Sequence, residues 1–174
     1  MTSTPTSLAD VLRQATDTKG KIKDLSVRAA GCIAQAEGTT PDFDFNEVNA
    51  ERKAEIERLV YLNTVLARNN AVTTIEWKGR RIIVAEAIRR KAELSGEIKF
   101  LEGLTLRSGP TKVPTGEYNE RHQPVYEAQV WKSAITEPAR VKQVAVLKAD
   151  CSALDRAIQT SNHVTVVDLE DPAT

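Results

Sequence analysis

Eight side chains carry the chemistry that a ligand could use. Arg80 and Arg81 follow a Lys78-Gly79 turn, and Arg107, Arg121 and His122 stand in a proline- and glycine-rich stretch. Tyr118 lies in the same stretch, with Tyr126 and Trp131 just beyond it. Guanidinium forks beside aromatic faces suit an anion that also carries a flat ring, such as a nucleotide. The competing reading is a solvated loop whose arginines pair with Glu117 and Glu120.

Other chemistries are poorly served. The chain has two histidines, His122 and His163, and two cysteines, Cys32 and Cys151. No HExxH, CxxC or paired Glu-x-x-His is present, which argues against a zinc or di-iron site, and no metal or cofactor is expected. Both cysteines fall on apolar seams, where a thiol acts as a small hydrophobe. There is no GxSxG, no Walker loop and no GxGxxG. Gly103 to Gly109 is glycine-punctuated but reads as a helix end. Arg89, Arg90 and Lys91 interleave with Glu86 and Glu93 at pairing spacing, as on a solvated helix face. The expectation is a protein that is not an enzyme.

Composition narrows the class further. The 174 residues are 41% hydrophobic, 28% charged and only 5% aromatic. That supports a core of Leu, Ile, Val and Ala, as in helix-on-helix packing, and argues against global disorder. With 24 basic and 24 acidic residues the net charge is +0, which argues against a nucleic-acid coat. Met1 to Ser7 lacks a charged or apolar leader, and no apolar run approaches the ~20 residues that span a bilayer. A cytoplasmic protein without a membrane partner is expected.

The elements that must position these residues follow from periodicity. The expected layout is a disordered start at 1–6, one helical domain over 7–169 and an acidic tail at 170–174. Ser7 with Asp10 three residues on opens a helix over about 7–37. Its seam, Leu8, Val11, Ala15, Thr18, Ile22, Leu25, Ala29, Cys32 and Ala36, alternates steps of three and four. Phe43 and Phe45 are expected to staple the next turn. Asp44 caps a second helix over about 46–70, with Val48, Ile56, Leu59, Val60, Leu62 and Leu66 inward. Arg52, Lys53, Glu55, Glu57 and Arg58 form its solvated, mutually paired face. Asn69-Asn70 stops that helix, and 73–82 alternates as a hairpin about Lys78-Gly79.

A third helix over about 83–107 carries two stripes, Ala87, Leu94, Ile98 and Leu101 beside Val84, Ile88 and Ala92. Residues 108–133 form a long loop, expected to be functional, interfacial or disordered, and then a strand. That strand, Val125 to Trp131, is expected to pair with the 73–82 hairpin. Thr136 and Pro138 open a fourth helix over about 137–162, with Val144, Leu147, Cys151, Leu154 and Ile158 on its seam. Val164, Val166 and Val167 suggest a terminal strand. Helices of this length are roughly 40 Å long at about 1.5 Å per residue.

Three runs resemble a known family. SLADVLRQATDTKGKIKDL, VLARNNAVTTIEWKGRRIIVAEAIRRKAELSGEIKFLEGL and ALDRAIQTSNHVTVVDL are similar to an uncharacterised bacterial and phage family sometimes labelled septicolysin-like. Asn69-Asn70, Lys78-Gly79, Ala85 to Ile88 and Ile158-Gln159 with Asn162 stand in the order of that family's signatures. The resemblance covers about Ser7 to Leu169. It implies an elongated helical protein that forms homo-oligomers, and it implies no activity and no catalytic residues. The 107–124 stretch and the tail depart from the pattern.

The fold expected is mainly α: an elongated antiparallel four-helix bundle or coiled coil with a small β hairpin or sheet at one end. The function expected is non-enzymatic, by homo-oligomeric assembly and binding through heptad faces. One alternative is a phage counter-defence protein that sequesters a small anionic or nucleotide-like signal between subunits. Another is a structural component of a phage virion.

Overall fold

The computed structural model describes residues 4–34 and 43–169. The protein is mainly helical, with four helices and three two-stranded antiparallel sheets among these residues. In chain order the elements are β1 (Thr4–Ser7), α1 (Leu8–Gly31), α2 (Phe45–Val72), β2 (Thr74–Trp77), β3 (Arg80–Ile83) and α3 (Val84–Gly103). They continue with β4 (Gly109–Tyr118), β5 (Pro124–Trp131), α4 (Glu137–Val164) and β6 (Val166–Leu169). Two compact units result, one of residues 1–89 and 154–174 and one of residues 90–153; α3 and α4 contribute to both.

In the first unit α1 starts where the sequence places it. Ser7 Oγ accepts a hydrogen bond from the Asp10 amide at 3.1 Å, satisfying an otherwise orphaned donor of the first turn. The predicted seam is the buried face: Leu8, Val11, Ala15, Thr18, Leu25 and Ala29 are all buried. It packs antiparallel on α2. Leu8, Val11 and Ala15 meet Leu62 and Leu66, while Leu25 and Ala29 meet Val48 and Phe45. The helix ends at Gly31, short of the expected boundary, and Cys32 caps it. Positions 35–37 of that expectation lie outside the described residues, as does the tail at 170–174. Asp44 caps α2, its Oδ1 accepting from the amides of Asn46 and Glu47. Phe43, the other expected staple, lies under the Arg28 guanidinium, 5.5 Å from ring centre to Cζ.

Two expectations for α2 are corrected. Val60, expected inward, is exposed. Glu55, expected on the solvated face, has a side chain only 12% exposed that pairs with Lys21 of α1 at 2.8 Å. The reason is the heptad: 48, 55 and 62 are seven apart, so Glu55 sits between Val48 and Leu62 on the seam itself.

The start of the chain is corrected as well. Thr4 to Ser7, expected to be mostly disordered, is a strand paired antiparallel with β6, Thr4 opposite Leu169 and Ser7 opposite Val166. The Leu8 amide continues the ladder by donating to the Thr165 carbonyl at 3.0 Å. Val167 then points into the α1–α2 core.

The 73–82 hairpin forms as β2 and β3, with Ile75 opposite Ile82 and both buried. Its two-residue loop has positive φ at both positions, 50° at Lys78 and 71° at Gly79. That is the turn whose twist matches paired strands. Gly79→Ala is expected to lower stability by about 1–2 kcal/mol, the cost of a Cβ in left-handed backbone. No atom lies within 4 Å of that Cβ position, so the cost is the backbone's alone. Urea unfolding checks it, and an unchanged midpoint would contradict it.

In the second unit the later part of α3 runs antiparallel to the first part of α4. Lys148 pairs with Glu102 at 2.7 Å. Arg140 donates to the Leu104 carbonyl at 2.8 Å, satisfying a helix-end acceptor. Thr136 opens α4 as expected, accepting from the Ala139 amide through Oγ1. Of the α4 seam, Val144, Leu154 and Ile158 are buried and Leu147 and Cys151 half-buried.

Candidate functional site

Six of the eight ligand candidates belong to the second unit's ribbon or its flanks. The ribbon is β4 against β5, from Gly109 opposite Trp131 to Tyr118 opposite Pro124. Here the expectations fail in two ways. The stretch 108–124 is not simply a loop, because 109–118 is a ten-residue strand. In addition, β5 pairs with β4 and not with the 73–82 hairpin. Pro110 and Pro114 hid the strand, since proline reads as a breaker. A two-stranded ribbon tolerates proline where the missing N–H would point outward. Closing a local hairpin also costs less chain entropy than reaching a distant one.

Both ends of the ribbon are organised by side-chain bonds. At the base, the Arg107 amide donates to Ser133 Oγ at 2.8 Å, and that hydroxyl donates back to the Arg107 carbonyl at 2.7 Å. At the tip, Asn119 Oδ1 accepts from the amides of Arg121 and Gln123, both at 3.0 Å. His122 adopts positive φ, 56°, to close the turn.

Alternation then separates the candidates. Trp131 lies on the odd-numbered face with Val113 and Val125, all half-buried. Arg107 stacks on it, with Cζ 5.2 Å from the ring centre. Tyr126 and Tyr118 lie on the other face and are exposed. Arg121 and His122 sit at the tip. Eight residues of β5 separate tip from base, roughly 25 Å at about 3.3 Å per residue. Arg80 and Arg81 belong to β3 in the first unit, on opposite faces of their hairpin, with Arg81 opposite Glu76. Within one chain the ribbon candidates therefore form three groups: the Arg107–Trp131 stack, the tyrosine face and the tip.

The tyrosine face has members that sequence reading did not single out. Pro110 opposite Val130, Lys112 opposite Ala128, Pro114 opposite Tyr126 and Tyr118 opposite Pro124 form four rungs on one side. All eight residues are exposed. The signal was present in β5, where Pro124, Tyr126, Ala128 and Val130 recur every second residue. It was obscured in β4 by the prolines and by the register shift between Pro114 and Tyr118.

Elsewhere in the first unit, a groove of about 360 Å³ runs between α2 and β6, lined by Tyr61, Val65, Arg68, Asn69, Val166, Val167 and Asp168. None of the eight candidates lines it. No group of His, Cys, Asp and Glu that could hold a metal occurs among the described residues. No described helix is long and apolar enough to cross a membrane.

No family model matches the chain, and no curated protein matches it. The fold has a counterpart in the crystal structure of a functionally unknown conserved protein from Corynebacterium diphtheriae. That chain aligns with a TM-score of 0.74 at 18% identity, over 94% of this chain and 99% of the other. A likeness at this identity is a likeness of fold.

Proposed function

We propose that this chain is a non-enzymatic protein that works by assembling with copies of itself and binding through the surfaces so formed. The observation behind the proposal is the tyrosine face of the β4–β5 ribbon. A contiguous apolar patch of this kind is about as large as a soluble protein leaves in water, and such a patch is often an interaction site. An unsupported two-stranded ribbon is also marginal in water, so a partner that covers one side stabilises it.

The measurement is light scattering of the purified protein at micromolar concentration. A defined multiple of the chain mass is expected, and a monomer would sink the proposal.

A second reading keeps a small anionic or nucleotide-like ligand, held between subunits. Its motive is the Arg107–Trp131 stack, a cation and an aromatic face already in register. Native mass spectrometry of protein purified gently from its source cells tests it. A reproducible extra mass of nucleotide size would support it, and a bare oligomer would not.

A further inference from the structure

We infer that the ribbon face is the contact between two copies of this chain, stacked face to face with their ribbons antiparallel. The inference rests on the assembly reading and names its interface.

The edges of the ribbon are poor docking sites. Proline cannot donate in a ladder, so Pro110 and Pro114 must sit in the rungs whose N–H positions point away from β5. The outer edge of β4 therefore lacks donors at two of the three outward positions from 110 to 114. Pro124 does the same at the start of β5. An edge so blunted resists addition of another strand.

The face has the opposite character. Seven of its eight residues are apolar or tyrosine, and Lys112 is the exception. Val130 is 75% exposed, Tyr118 70% and Tyr126 54%. The two tyrosines present on the order of 250 Å², given the usual aromatic area, and the whole face about 500 Å². Two such faces in contact bury on the order of 1,000 Å², the threshold for a specific interface. Two ribbons stack in this way in a sandwich, about 10 Å apart.

Charge selects the direction. If two ribbons stacked with their tips together, both Lys112 ammonium groups would share one level of the contact. Antiparallel stacking about a twofold axis instead brings the first rung onto the fourth and the second onto the third. Each Lys112 then lies beside the second copy's Pro114 and Tyr126, where the ring face attracts the ammonium. Ala128 faces the second copy's Tyr126, and Pro110 faces its Tyr118, so small residues meet large ones. A twofold contact of this kind is self-complementary and closes.

Sedimentation equilibrium of the full chain tests the inference, with Ala128→Asp, Tyr118→Ser and, as a control on the opposite face, Gln129→Asp. Within its own ribbon the new carboxylate at 128 stands opposite Lys112, so the ribbon itself is supported, and circular dichroism confirms the fold. In the antiparallel stack that carboxylate meets a tyrosine ring. Association is expected to weaken on the order of tenfold or more, because the carboxylate at 128 and its Lys112 partner must both leave water when the faces meet. Tyr118→Ser weakens it too, and Gln129→Asp leaves it unchanged.

With tips together, the carboxylate would face the second copy's Lys112, and stronger association would overturn the antiparallel stack. An oligomer unaffected by both face variants would assign the face to another partner, overturning the inference while assembly stands. A wild-type monomer would instead remove the assembly reading itself.

Discussion

Leu62→Ala is expected to lower the stability of the first unit by about 2–5 kcal/mol. Leu62 is 2% exposed and packs among Leu8, Val11, Ala15 and Leu66, where α1 crosses onto α2. Truncation removes the transfer energy of the lost carbons and leaves a cavity. Helices on both sides of the site are held by their caps and by the β1–β6 ladder, so collapse into the gap is limited. A domain is stable by only about 5–15 kcal/mol, so the loss is a large share of the total. Val60→Ala, two residues earlier on an exposed face, is expected to change stability by less than about 0.5 kcal/mol. Urea midpoints of the two variants check the pair, and equal midpoints would contradict the packing described for α2.

Replacing Glu55 with leucine should do the reverse and stabilise the protein, by about 1–3 kcal/mol. Glu55 occupies a seam position with a side chain 12% exposed, while its partner Lys21 is 61% exposed. One end of the ion pair is therefore in water and screened, which keeps its net contribution small. The second carboxylate oxygen, Oε2, is buried with no hydrogen-bond partner among the described residues. An unsatisfied buried acceptor costs about 1–3 kcal/mol. Leucine removes that cost and extends the apolar run from Val48 to Leu62.

Lys21→Ala should destabilise, because it leaves the carboxylate buried without its compensating charge. A higher urea midpoint for Glu55→Leu, with an unchanged denaturant slope, is the expected result. A lower midpoint would show that the carboxylate contributes more to the α1–α2 contact than its burial costs. A polar residue on a seam can also fix register. Loss of cooperative unfolding in Glu55→Leu would show that role.

The parts of the fold that were legible are those written in local periodicity. The α1 seam, Ser7 and Asp44 as caps, the Lys78-Gly79 turn and the start of α4 at Thr136 each depend on residues within one or two turns of one another. Glu55 is the exception, although its spacing from Val48 and Leu62 is that of the seam. A carboxylate's preference for water points outward, against its position on the seam. A lysine reaching across from α1 made the buried position tolerable, and no local pattern announces such a partner.

The candidate site divides in the same way. That two arginines and three of the eight aromatics lie between 107 and 131 is a property of the sequence. Where they point is not, because alternation assigns a face only once the register is known. The shift between Pro114 and Tyr118 sets Tyr118 on the side of Tyr126, and a shift of one residue would have put it with Trp131. The pairing of β1 with β6 and of β5 with β4 likewise joins segments by backbone hydrogen bonds, which are identical for every residue except proline. Composition and periodicity by themselves determined a mainly helical chain with one strong seam and an aromatic-rich stretch of balanced charge. Strand partners, the buried carboxylate and the sorting of that stretch into two faces and a tip were decided by the tertiary structure. The reason is that side-chain type encodes a preference for water or core, whereas long-range register emerges only when every element has found its neighbour.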